Sequence, residues 1–301
     1  MSQPVHLGKR DLAVLGLLDV TPATASQIRK ASATFPDEPF RDERRVRERL
    51  QTLAEAGLIC VFPAAMSGGG LMHYYRLTLT GYRTLHPDSP SAPARSLVSE
   101  IAPSLFRHAM VVADVVVHTL VAAQEAHVRV AQVHGDGHLK LKVGEYHQEP
   151  DCHVQLECGG KLFNVLFEID NATEPLDSPR EHSIKTKLLG YEAYQDWVLR
   201  IWREQGSRGP RPNFRVVFLT LSSERANHIL WLAQKCARNP DRRLCYAGTQ
   251  DAYLSESRAV TAAILNDHHG HWQSLVDLQP SAPVIRAPVR LTPPLSAVRI
   301  V

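Results

Sequence analysis

Cysteine is sparse and scattered. Cys60, Cys152, Cys158, Cys236 and Cys245 form no CxxC pair, and five such residues at these spacings argue for reduced, mostly buried thiols. A disulfide framework and a zinc site are thereby disfavoured. Long apolar runs are also lacking. The longest, Val111 to Ala123, is interrupted by Asp114 and His118 and is too short and too polar for a bilayer span. The N-terminal stretch has no signal-peptide apolar region, so the cytoplasm is the expected compartment, with no membrane partner. Excess charge is small: a net charge of +3 leaves any nucleic-acid affinity to local patches. Among the fifteen histidines, only His268, His269 and His271 cluster, and no second group at ligand spacing accompanies them. They read as a polar loop before Trp272. At 301 residues the chain has the length of two domains with real cores.

The N-terminal third has a recognisable order. Lys9 to Val20 carries apolar residues at helical spacing and stops at Thr21-Pro22. Thr24 or Ser26 can cap a second helix through Ile28 and Ala31. A third helix is expected from about Arg41 to Ala56, with Gly57 as its C-terminal cap. Two β-runs, Leu58 to Phe62 and His73 to Thr80, flank the glycine-rich tip Ser67 to Gly70. Three helices and a hairpin make a winged helix-turn-helix over residues 1–86. Its third helix carries Arg41, Arg44, Arg45, Arg47, Arg49 and Gln51, the candidate contacts to double-stranded DNA through phosphates and guanine edges. Glu43 and Glu48 dilute the patch, which implies modest affinity and strong salt dependence. A solvated helix face used for protein contacts is the other reading.

A proline-rich linker spans residues 87–97. A second domain is expected over 98–278, starting with a long helix near Val98 to Ala126. Residues 279–301, with five prolines, form an extended tail, a candidate wrap around another domain or a second copy of the chain. The second domain reads as mixed α/β, with helices on both faces of the sheet and a final helix near Ser255 to Asn266. Leu139 to Val143 is a candidate extension of that sheet.

Its most informative stretch runs from Pro150 to Asp170. Gly159-Gly160 supplies a two-residue turn between alternating strands. Counting back from the turn pairs Lys161 with Cys158, Val165 with Val154 and Glu168 with Asp151. Opposed residues share a face, and Asp170 lies two residues beyond Glu168 on that same face. Three carboxylates so placed suit a hard divalent cation, Mg²⁺ or Mn²⁺. Separate surface charges are the alternative, and a register slip of one residue produces them. Glu174 in the following loop is either a further ligand or a surface charge. Downstream, Lys187, Tyr191, Tyr194 and Val198 share one helical stripe.

Pro150-Asp151, Glu168-Ile169-Asp170 and the helix with Lys187 resemble the PD-(D/E)XK nuclease superfamily, although Asp170 stands where that superfamily has lysine. More narrowly, EIDNATEP (Glu168 to Pro175) with KLLGY (Lys187 to Tyr191) resembles the replication-relaxation family of plasmid and mobile-element proteins, over about residues 8 to 275. The resemblance implies a winged helix followed by a nuclease-like mixed sheet flanked by helices. It also implies a role in replication or mobilisation, with a relaxase or replication protein as candidate partner. In its catalytic version Asp151, Glu168 and Asp170 bind the metal and Lys187 orients the water or offsets phosphate charge. In its other version the nuclease fold is degenerate and serves an accessory factor or regulator.

Overall fold

The computed structural model describes residues 6–65, 68–90, 92–178, 183–239 and 241–276; the expected tail at 279–301 lies outside them. The chain divides into two compact units, Met1–Val121 and Ala122–Val301.

In the first unit, α1 (Lys9–Val20), β1 (Ala23–Thr24), α2 (Ala25–Ala31) and α3 (Glu43–Glu55) precede a wing of β2 (Ile59–Ala65) and β3 (Leu71–Leu77). The sheet order β1-β3-β2 places the short first strand beside the second wing strand. This is the winged helix-turn-helix. Local chemistry explains its corners. The Thr24 hydroxyl accepts from the Gln27 amide while the Gln27 side chain accepts from the Thr24 amide, a reciprocal cap that starts α2. At the end of α3, the Gly57 amide donates to the Ala54 carbonyl and the Leu58 amide to that of Leu53. Gly57 sits at φ +71°, as this left-handed terminus requires. The helix α4 (Leu79–Leu85) follows the wing, and Gly81 is fixed there by contact: a Cβ would lie 2.0 Å from the Leu58 carbonyl oxygen. Leu15, Ile28, Val46, Leu50 and Leu53 fill the core.

The expected long helix begins at Pro103, not near Val98, as α6 (Pro103–Glu125); a short α5 (Arg95–Val98) precedes it at the end of the expected linker, with a break between them. Pro103 explains the break, because proline suits a first helical turn and disfavours helix in the residue before it. By length and composition alone, α6 is apolar enough to cross a membrane. Its polar groups are engaged within the first unit: Gln27 donates to Asp114 at 2.8 Å, and Lys30 lies 3.1 Å from His118. Arg76 donates to the Ser99 carbonyl and Tyr74 accepts from the Ile101 amide. Those bonds tie residues after the expected linker to the winged helix, and the division between units falls within α6.

The second unit contains β4 (Arg129–His134), β5 (Leu141–Val143), β6 (Tyr146–Gln148), β7 (Cys152–Cys158), β8 (Lys161–Asp170), α7 (Ile184–Glu204), β9 (Phe214–Thr220), α8 (Ser223–Cys236), β10 (Cys245–Thr249), α9 (Gln250–Ser255), β11 (Leu265–Asp267) and β12 (Trp272–Gln273). Its seven-stranded sheet has the order β12-β11-β10-β9-β8-β7-β4. Strands β4, β7 and β8 are antiparallel neighbours; β8, β9 and β10 run parallel, with α7 and α8 as crossovers. A mixed sheet flanked by helices is the expected nuclease-like arrangement. One face, with Leu166, Val216, Phe218 and Ala247, packs against Ile184, Leu188 and Tyr191 of α7 and Ile229 and Ala233 of α8. On the opposite face, Phe167 meets Tyr253 of α9 edge to face.

Two local expectations are corrected. Leu141–Val143 pairs with β6 in a separate hairpin instead of extending the main sheet. The last helix among the described residues is Gln250–Ser255, capped by Thr249, whereas Leu265–Asp267 is a strand against β10. Sheet pairing overrides helical periodicity there: buried Asp267 accepts from the amides of His269 and His271 and turns the chain into β12. The histidine run is that turn.

Candidate carboxylate cluster and nucleic-acid interface

The hairpin forms in the expected register. Gly159 and Gly160 take φ +56° and +73°, and the pairs run from Cys158–Lys161 through Val154–Val165 to Cys152–Phe167. Asp151 follows on at the strand entry, where its amide donates to the Phe167 carbonyl. Its Oδ2 accepts from the Ile169 amide at 2.6 Å.

Glu168 and Asp170 do share a face, but α7 and α8 cover it. Glu168 is 2% exposed. Lys187 Nζ donates to its Oε2 at 2.7 Å, and the Tyr191 hydroxyl donates to its Oε1. The ammonium also meets Glu174 Oε1 at 2.9 Å. Asp170, 5% exposed, is gripped by Arg225 of α8, with Nε to Oδ2 at 2.7 Å and a second nitrogen to Oδ1 at 3.2 Å. The Ala172 amide donates to the same carboxylate, and Arg225 reaches on to the Glu174 carbonyl at 2.6 Å. A Cβ at Gly190 of α7 would lie 2.3 Å from the amide nitrogen of buried Gln148, which would have to shift to admit it.

The electrostatics follow. Burial pushes the Glu168 carboxyl up to about 7 against the pull of Lys187, and the nearby Asp151 charge adds to the rise. Burial disfavours the Lys187 ammonium, yet Glu168 and Glu174 outweigh it and hold its pKa above the usual lysine value. The Tyr191 phenol is pushed well up by burial and then by the Glu168 charge.

The structure thus brings Glu168 and Lys187 together, with Asp151 close to Glu168, and assigns Asp170 to Arg225. Among the described residues no three His, Cys, Asp or Glu side chains are placed to hold a metal ion. The carboxylates are committed instead to an ammonium, a guanidinium, a phenol and backbone amides. The three expected carboxylates are thus divided, Asp151 and Glu168 lying beside Lys187 and Asp170 beside Arg225: the face selected by strand alternation is the face the crossover helices bury. Arg225 and Tyr191 are the partners that residue spacing did not assign. Arg225 left one signal. It sits in the first turn of α8, where the helix dipole disfavours a cation, and such a residue invites a carboxylate partner.

On α3, Asp42 caps the helix by accepting from the Arg45 amide. Arg44 and Arg45 pair with Glu48, and Arg47 with Glu43, at side-chain exposures of 82%, 68% and 62%. Gln51 donates to Glu55. Arg41, exposed, precedes the helix. Arg49 differs from its neighbours: both arms of its guanidinium grip Asp11 of α1, at 2.5 and 2.6 Å. It is a packing clamp, already occupied. A groove of about 620 Å³ beside α3 is lined by Arg10, Arg41 and Arg45, and also by Asp37, Glu38 and Glu48, so its charge is mixed.

The family model described as Replication-relaxation matches residues 16–207. No curated protein matches. Among solved structures, Bacillus subtilis PadR in complex with operator DNA is similar at 15% identity and a TM-score of 0.22, covering 38% of this chain and 68% of that one. The restriction endonuclease FokI is similar at 10% identity and a TM-score of 0.28, covering 83% of this chain and 43% of that one.

Proposed function

Because the chain belongs to the replication-relaxation family, we propose that it binds duplex DNA in plasmid or mobile-element replication or mobilisation, as an accessory factor that recruits a relaxase or replication protein. The exposed face of α3 carries this reading. Among the described residues, Arg44, Arg45 and Arg47 are held only by acids of their own helix, in solvent, and can exchange them for phosphates at little cost. The second unit supports the non-cutting version, since Glu168 and Asp170 are neutralised by Lys187 and Arg225. It offers a partner surface, or a second DNA contact, on a degenerate nuclease-like fold.

A divalent-dependent endonuclease is the second reading. Asp151 beside Glu168, with Lys187 at 2.7 Å, favours it. Mobility shift with duplex DNA at about 50 and about 200 mM salt tests the first reading, with steep loss of affinity expected across that range. Incubation of supercoiled plasmid with Mg²⁺, Mn²⁺ or chelator separates the two. Chelator-insensitive binding with no nicking is expected. Divalent-dependent nicking, lost in Asp151→Ala and in Glu168→Ala, would replace the accessory reading with the nuclease.

A further inference from the structure

A second charged surface lies at the other end of β8. That strand begins at Lys161 and ends nine residues later at Asp170, which is about 30 Å at ~3.3 Å per residue. Around Lys161 opens a groove of about 1030 Å³. It matches the upper end of the ~300–1,000 Å³ of ordinary small-molecule pockets. The basic residues on its walls are Lys161, Arg211, Arg215, Arg242 and Arg243, and Asp241 is the one acid among its described lining residues.

These cations are not equivalent. Arg242 is committed to Glu192 and Asp196, and Arg243 lies 3.6 Å from Asp267. Arg215 donates to the carbonyls of Ser274 and Leu275, which positions its guanidinium 5.2 Å over the Phe163 ring and 5.5 Å over that of Tyr246. Lys161 and Arg211 are exposed and make no ion pair among the described residues. The basic rim therefore surrounds an aromatic wall. Phe163 and Phe214 line the groove. Tyr194 lies 5.9 Å from Phe214 and 5.5 Å from Trp197, which is 36% exposed. Asn164, Asn213 and Gln273 also line the groove.

We propose that this groove binds single-stranded DNA. Lys161 and Arg211 meet its phosphates, and the half-buried Phe163 and Phe214, with Trp197 beyond, receive unstacked bases. Basic walls with aromatic rings are the combination that single strands require, because a phosphate track sets the path and every base has a face to stack. A duplex keeps its base faces inside and gains nothing from the aromatic wall. The groove belongs to the second unit and α3 to the first, so the chain has one element for paired DNA and another for an opened strand.

The test is fluorescence anisotropy of a labelled oligothymidylate with the full chain. Wild type is expected to bind. The double variant Lys161→Glu with Arg211→Glu should weaken binding by roughly tenfold or more, and flatten the salt dependence by about 1.4, at about 0.7 per lost phosphate contact. Duplex binding should survive in that variant and fall in Arg44→Ala/Arg45→Ala/Arg47→Ala, which in turn should keep its affinity for the oligothymidylate. Wild type that ignores the single strand, or a double variant that binds it as wild type does, overturns the groove assignment. Loss of duplex binding by wild type overturns the α3 reading alone. Thermal melts of each variant verify that both units are folded.

Discussion

On α3, arginines meet glutamates in full view of water; in the second unit, Lys187 and Arg225 meet Glu168 and Asp170 beneath two helices. The chemical groups are the same and the consequences differ. Exposed pairs one helical turn apart are weakly held and screened by salt, so they yield to a polyanion. Buried pairs have lost their water, and neither partner can leave without stranding the other's charge. One set of cations is available for binding. The other set is part of the fold. Charge counted along a sequence does not separate them; depth does.

The comparison breaks first at Arg225. Arg225→Met leaves Asp170 buried and unpaired, and urea unfolding of the full chain should register a loss of about 3–5 kcal/mol. A variant as stable as wild type would mean that Asp170 is solvated and open to a cation. Arg49→Ala comes next. Its clamp on buried Asp11 joins α3 to α1, so the expected effect is a stability loss of about 1.5–3 kcal/mol. The same change at Arg44, Arg45 or Arg47 should leave the unfolding midpoint within error and appear only in DNA affinity and its salt slope.

A pH profile sharpens the contrast further. The Glu168 carboxyl is raised to about 7 in the fold, above its unfolded value of about 4.3. The folded state therefore binds the extra proton. The corresponding stability is fully present below the unfolded value and is lost as pH rises through about 7. Lys187, raised from the usual lysine value, keeps its contribution throughout that window. Melting temperature should decline from pH 4.5 to 7.5 in wild type and flatten in Glu168→Gln; equal slopes would show that Glu168 stays ionised throughout.

Much of this was legible beforehand where the determinants are local. Gly57 ends α3 because a left-handed residue must follow the last turn, and Gly159-Gly160 fixes the hairpin because both turn positions need positive φ. From that turn the count to Asp151 and Glu168 followed directly. Arg49 looked like its neighbours because Asp11 lies thirty-eight residues away in sequence. The expected helix at Ser255 to Asn266 failed for a related reason: Leu265–Asp267 becomes strand only because β10 offers an edge.

The sequence by itself determined the winged helix, the β7–β8 register and the shared side of Glu168 and Asp170, because caps, turns and alternation act within a few residues. Only the tertiary structure decided what that side faces. Lys187, Tyr191 and Arg225 reach it from helices nineteen to fifty-five residues along the chain, and covering a carboxylate removes the water that would otherwise keep it free for a metal.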